Sequence, residues 1–166
     1  IIFGGLSGVM SERVGVVNIS IEAQLLAGAF VGAVVGTLTG NLYVALVAAM
    51  IAGMLLGMVL AVFSVQYLAD QIIVGVVLNV LVIGITNFLY SQWLVTDSDS
   101  TNFPGTLEIF KLPLLSDIPV LGPVLFENRI TVFAAFLAVP LLWWILFRSR
   151  LGLRARSVGE YPLAAD

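Results

Sequence analysis

The chain has 166 residues, 60% of them hydrophobic and 10% charged, with a formal net charge of -3. Soluble domains carry about 25% charged residues, so water is excluded as the solvent for most of this surface, and the small net charge gives no sign of nucleic-acid binding. With no Cys and no His, disulfides, Cys/His metal sites, Cys–His and Ser–His catalysis and a histidine pH switch are excluded; carboxylate chemistry stays open.

Residues 1–10 are apolar but too short to span a bilayer alone, since a span needs about 20 apolar residues. They read as the end of a cut helix, or as a half-helix dipping into the membrane. Ile1 lies inside an apolar run and Asp166 inside a helical pattern, so both ends are expected to be truncations. The first stretch has neither a basic leader nor a small-residue cleavage site, which argues against a signal peptide. Residues 11–22, SERVGVVNISIE, place Glu12, Arg13, Asn18 and Glu22 around an apolar VGVV core. Each charge at the bilayer centre would cost about 2.5–3.5 kcal/mol. Two readings stay open for this stretch, a cytoplasmic loop or a segment dipping inward. Asn18-Ile19-Ser20 fits a glycosylation sequon, but its inward placement sets that aside.

Four full spans follow, at 23–39, 43–65, 72–93 and 130–147. The fold class is therefore all-α: a polytopic transmembrane helical bundle with a partial N-terminal helix. Gly28, Gly32, Gly36 and Gly40 recur every fourth residue, and Gly53 and Gly57 repeat the pattern on the next span. Such stripes let helix backbones approach closely and say nothing about a substrate. In the third span Asn79 shares a face with Gly75 and Thr86, and Asn87 lies nearby. An unpaired amide in hydrocarbon costs several kcal/mol, so these groups must meet another helix or line a polar path. Pro140 lies inside the last span and is expected to kink it.

Orientation follows from the arginines. Arg148, Arg150, Arg154 and Arg156 cluster after the last span, which marks that end as cytoplasmic. Residues 95–129 are then an external loop. Its charges are mostly acidic, and Pro104, Pro113, Pro119 and Pro123 argue against long helices there. The turn at 40–41 is external and the 66–71 connection internal. Tyr90 and Trp93 fall at one boundary and Trp143, Trp144 and Phe147 at the other, as aromatic belts do. Residues 148–166, RSRLGLRARSVGEYPLAAD, are basic, are expected to turn at Gly159, and restart a helix at Pro162. That pattern suits either a juxtamembrane lipid anchor or a short helix packed into a cleft on another protein.

Three blocks resemble the permeases of the branched-chain amino acid, ribose and nucleoside group of ABC importers. They are GGLSGVMSERVGVVNISIEAQLLAGAF at 4–30, ADQIIVGVVLNVLVIGITNFLY at 69–90, and the 148–166 block. LPLLSDIPVLGPVLF at 112–126 is most similar to the nucleoside branch. The resemblance implies one transmembrane permease domain over 1–166. It also implies a second permease subunit, a cytoplasmic ATP-binding subunit that carries the ATP and Mg, and an external substrate-binding protein or lipoprotein. This chain would then be a transport subunit without a cofactor or enzymatic activity of its own. The resemblance makes 148–166 a cytoplasmic coupling segment and gives that role to Arg156, Gly159, Glu160, Pro162, Ala164 and Ala165. It places the first block near the translocation path, so that Asn18 and Glu22 join Asn79 and Thr86 as path candidates. Ser20, Ala23 and Gln24 depart from the NIGLEGMM pattern of many relatives, and Tyr161 stands where a relative often has Asn-Pro directly after the glutamate.

The scarcity of charge in the spans fits a neutral polar cargo, with a nucleoside as the expected solute held by amides and carbonyls. Ribose or another simple sugar is the alternative; branched-chain amino acids would want groups for a carboxylate and an ammonium. An ion-coupled secondary transporter would need acidic residues at the midplane, and Asp70 is the only carboxylate near a span start. An intramembrane enzyme would need a catalytic pair at depth, which this chain lacks.

Overall fold

The computed structural model describes residues 1–94, 105–111 and 127–160 and divides into two units, Ser7–Gly105 and a second formed by Ile1–Leu6 with Thr106–Asp166. Four helices are long and apolar enough to cross a membrane: Ile21–Thr39, Leu42–Gln66, Gln71–Gln92 and Ile130–Arg148. They fall within one or two residues of the spans read from the sequence. The bundle is all-α, and a short strand pair in the second unit is its one addition among the described residues.

Helix α1 (Ile2–Arg13) ends in a hydrogen-bonded stop. Gly15 takes φ 87°, its N–H donates to the Glu12 carbonyl at 3.0 Å, and Val16 N–H donates to the Ser11 carbonyl at 2.9 Å. This is the Schellman pattern, in which a left-handed residue satisfies the last free carbonyls of a helix. The chain then runs without regular structure to α2 (Ile21–Thr39). Gly40, at φ 62°, closes α2 with its N–H on the Gly36 carbonyl at 3.0 Å. The fourth glycine of the stripe thus terminates the helix instead of packing it. Asn41 opens α3 (Leu42–Ala61), its Oδ1 accepting from Tyr43 N–H at 3.0 Å and Val44 N–H at 3.4 Å.

The two helices of this hairpin lie close because the stripe leaves room. A Cβ added at Gly28 would stand 3.2 Å from the Ala49 carbonyl oxygen, and one at Gly32 3.3 Å from the Ala49 Cβ. A π turn, Val62–Gln66, ends the second span. Leu68 turns the chain in the left-handed region (φ 51°) and is almost fully exposed. Asp70 then caps α4 (Gln71–Leu89), accepting from Ile72 N–H at 2.8 Å and Ile73 N–H at 3.3 Å. Ala23, Leu60, Leu78 and Val82 form the core where α2, α3 and α4 meet. Outward, α3 exposes Met50, Met54 and Met58, a stripe suited to lipid rather than water.

In the second unit, β1 (Ile109–Lys111) pairs antiparallel with β2 (Glu127–Arg129), Phe110 opposite Asn128. The prolines of 95–129 argue against long helices in this region, and no local pattern announces this pair. Helix α5 (Ile130–Arg148) continues through Pro140. Helix α6 (Arg150–Glu160) follows after a single non-helical residue, Ser149. Gly159, where a turn is expected, is helical, and α6 ends one residue later at Glu160, beyond which the chain lies outside the described residues. A glycine near a helix end costs only about 1 kcal/mol, which the serine cap and the packing of α6 on α5 outweigh. Residues 161–166, with Pro162, Ala164 and Ala165, and most of the 95–129 loop lie outside the described residues.

Candidate functional site

Residues 14–20 interrupt the helices between α1 and α2, and such a break leaves backbone groups at the helix ends without intrahelical partners. Helix α4 supplies those partners from one face. Gln71, Gly75 and Asn79 are spaced four apart and share that face. Gln71 Oε1 accepts from Val17 N–H at 2.6 Å. Asn79 uses both ends of its amide: Oδ1 accepts from Ala23 N–H at 2.9 Å and Nδ2 donates to the Ile19 carbonyl at 3.1 Å. Ala23 N–H belongs to the first turn of α2, where the N-terminal residue Ser20 gives no side-chain cap. Asn79 therefore caps α2 from another helix. Between the two amides Gly75 leaves no space: a Cβ there would lie 2.9 Å from the Ile19 Cβ and 3.3 Å from Ser20 N.

The near side of the break is an uncharged polar cluster. Ser20, fully buried, donates from Oγ to Asn18 Oδ1 at 2.9 Å and accepts from Gln24 Nε2 at 3.1 Å. Gln24 Nε2 also lies 3.5 Å from Asn18 Oδ1. The Gln24 amide faces α3, where a Cβ at Gly57 would come within 3.6 Å of it. Among the described residues the Asn18 Nδ2 group has no partner. Ser64, two turns beyond Gly57 on the same chain segment, is buried with its Oγ unpaired. These groups offer neutral donors and acceptors and no ion.

Of the sequence-derived path candidates, Asn18 lies inside this cluster. Asn79 lies on its α4 side with its amide committed to backbone. Glu22 is exposed on the first turn of α2, beside the positive end of the helix. Thr86 is buried, but its hydroxyl donates to the Val82 carbonyl at 2.7 Å and the Ile83 carbonyl at 3.2 Å of its own helix, so it does not join the cluster. Sequence reasoning passed over Gln71, Ser20 and Gln24 as contributors. The departure of Ser20 and Gln24 from the family pattern was the available signal.

Of the coupling candidates, Arg156, Gly159 and Glu160 lie on α6, and Pro162, Ala164 and Ala165 lie outside the described residues. Ser149 Oγ donates to the Ile145 carbonyl at 2.5 Å and accepts from Gly152 N–H at 3.1 Å, so one hydroxyl closes α5 and opens α6. Gly152 is buried against the end of α5, where an added Cβ would collide with the Ile145 and Leu146 carbonyls. The Arg156 guanidinium lies 5.0 Å over the Phe147 ring, its Nε buried without a hydrogen bond. Gly159 is half-buried and Glu160 exposed on the last turn.

The family described as "Branched-chain amino acid transport system / permease component" matches residues 1–166. The chain belongs to this permease family. Its relatives include the guanosine ABC transporter permease protein of Bacillus subtilis, 37% identical over the whole chain and 54% of the relative. The nucleoside ABC transporter permease protein of Lactococcus lactis is 34% identical over the whole chain and 54% of the relative. A Haloferax volcanii protein, provisionally named as a glucose ABC transporter permease, is 36% identical over the whole chain and 50% of the relative. The chain spans about half the length of the curated relatives it matches. No solved structure matches it. Family membership and the four spans make this permease component a multi-pass plasma-membrane protein.

Proposed function

We propose that the protein is the permease subunit of an ATP-binding-cassette importer that moves nucleosides across the plasma membrane by alternating access. The observation that carries this reading is the match along the whole chain to two permeases whose names specify guanosine and nucleoside. The uncharged cluster of Asn18, Ser20 and Gln24 agrees with it: amides and hydroxyls suit a neutral, hydrogen-bonding solute, whereas an amino acid would call for paired charges. Asp70, the carboxylate just before α4, serves to cap that helix, which speaks against its use by an ion-coupled carrier.

In this reading Asn18 and Glu22 face the path. Asn79 holds the break against α4, and Thr86 supports the same helix from within. An ATP-binding subunit hydrolyses ATP with its Mg and pushes on 148–166, on the cytoplasmic side, through Gly159, Glu160, Pro162, Ala164 and Ala165. Arg156, stacked on Phe147, passes that displacement to α5. A second permease subunit completes the path, and an external binding protein or lipoprotein delivers cargo on the 95–129 side. A ligand shifts such an equilibrium only through unequal affinity for its two states.

Cells carrying the full-length permease with its ATP-binding and substrate-binding partners should accumulate labelled guanosine and uridine. Unlabelled nucleosides should compete and glucose or leucine should not. Accumulation of glucose alone, matching the third relative, would overturn the cargo and keep the class.

A further inference from the structure

Helix α6 is strongly amphipathic, and its sides have different surroundings. Gly152 and Arg156 face α5: Gly152 is buried at its last carbonyls and Arg156 stacks on Phe147. Leu151 and Val158, seven apart on one flank, are 72% and 43% exposed, and Leu153 on the other flank is 59% exposed. Arg150 and Arg154, four apart, occupy the polar side and are exposed, as is Arg148 at the end of α5. The elbow at Ser149 is fixed by two hydrogen bonds through one hydroxyl and by the close approach of Gly152. It therefore holds α6 beside the final turn of a membrane-spanning helix. A helix there, with bare leucines on its flanks and arginines on its polar side, meets the headgroup layer within a residue of the span. Helices of this build lie in the interface plane with their apolar side at the acyl boundary, and their arginines favour anionic headgroups by about fivefold per residue.

We propose that α6 is an interfacial helix seated on anionic phospholipid, with Leu151, Leu153 and Val158 at the acyl boundary and Arg148, Arg150 and Arg154 on lipid phosphates. The charge of that surface selects the occupant: three exposed guanidiniums, with Glu160 the only acidic side chain on α6.

The test uses the full-length transporter complex in mixed phosphatidylglycerol and phosphatidylcholine vesicles. A bimane label is attached at Leu151→Cys, an exposed position in a stretch with no other cysteine. Either lipid carries the brominated, quenching chains. Brominated phosphatidylglycerol should quench the label several-fold more than brominated phosphatidylcholine. Raised salt and the triple change Arg148→Gln, Arg150→Gln and Arg154→Gln should both abolish that preference, and the triple change to Lys should retain it. Equal quenching by both lipids in the unsubstituted arginine background would overturn the proposal. So would quenching by aqueous iodide alone. A label shielded from iodide and from both lipids, and exposed to iodide when the ATP-binding subunit is removed, would assign the surface to that subunit and overturn the lipid reading.

Discussion

The break before α2 and the elbow before α6 face the same physical problem and solve it at different sequence distances. Each starts a helix where the first backbone N–H groups lack intrahelical partners. At the elbow the partner is Ser149, three residues from the Gly152 N–H it accepts. At the break the partner is Asn79, 56 residues from the Ala23 N–H it accepts. A local cap holds one helix end and costs little to alter. A cap from another helix also ties two spans together, so its loss loosens the bundle.

That contrast can be tested by substitution, beginning with the tightest contact. Gly152→Val should be the most damaging, because the added side chain meets backbone carbonyls that cannot move aside. A loss of about 3 kcal/mol or more is expected, read as a lower thermal midpoint in nanodiscs and as lost uptake. Gly75→Val should follow, at about 2–3 kcal/mol, by prising Ile19 and Ser20 off α4; a midpoint equal to that of the parent protein would break the account of this junction. Asn79→Leu strands the Ala23 N–H and the Ile19 carbonyl, at about 1–3 kcal/mol. Asn79→Asp keeps the acceptor but loses the donor and adds a charge at depth, so it should not restore stability; full rescue would show that the Ile19 bond contributes nothing. Ser149→Ala removes a local cap at about 1 kcal/mol, and its midpoint should fall less than that of Asn79→Leu. The smallest effect is expected for Leu68→Gly. It relieves a left-handed leucine, for a gain below about 1 kcal/mol in the same melting assay.

The same contrast explains what the sequence disclosed. Features set by neighbours a few positions apart could be read: the four spans, the Gly40–Asn41 turn, and Asp70 just before a helix. Gly15 carried an equally local stop signal that went unused. Features set by distant partners could not be read. Nothing near Asn79 announces that its amide reaches Ile19 and Ala23, and Gln71 had no reason to stand out from other interfacial amides. Both are fixed by which helices touch. The end of the last span was legible at 147, within a residue of the end of α5, whereas Ser149, whose two bonds are as local as those of Asp70, went unused as the start signal of α6. Strand β2 arises from pairing with β1 across the intervening residues, a partner that no local pattern specifies.

The most direct test of the central reading is uptake into proteoliposomes holding the full-length permease with its ATP-binding subunit and binding protein. Labelled nucleoside should enter only when hydrolysable ATP is supplied to the cytoplasmic face, and a non-hydrolysable analogue should give none. Nucleoside entry without ATP, driven by an imposed ion gradient, would contradict it.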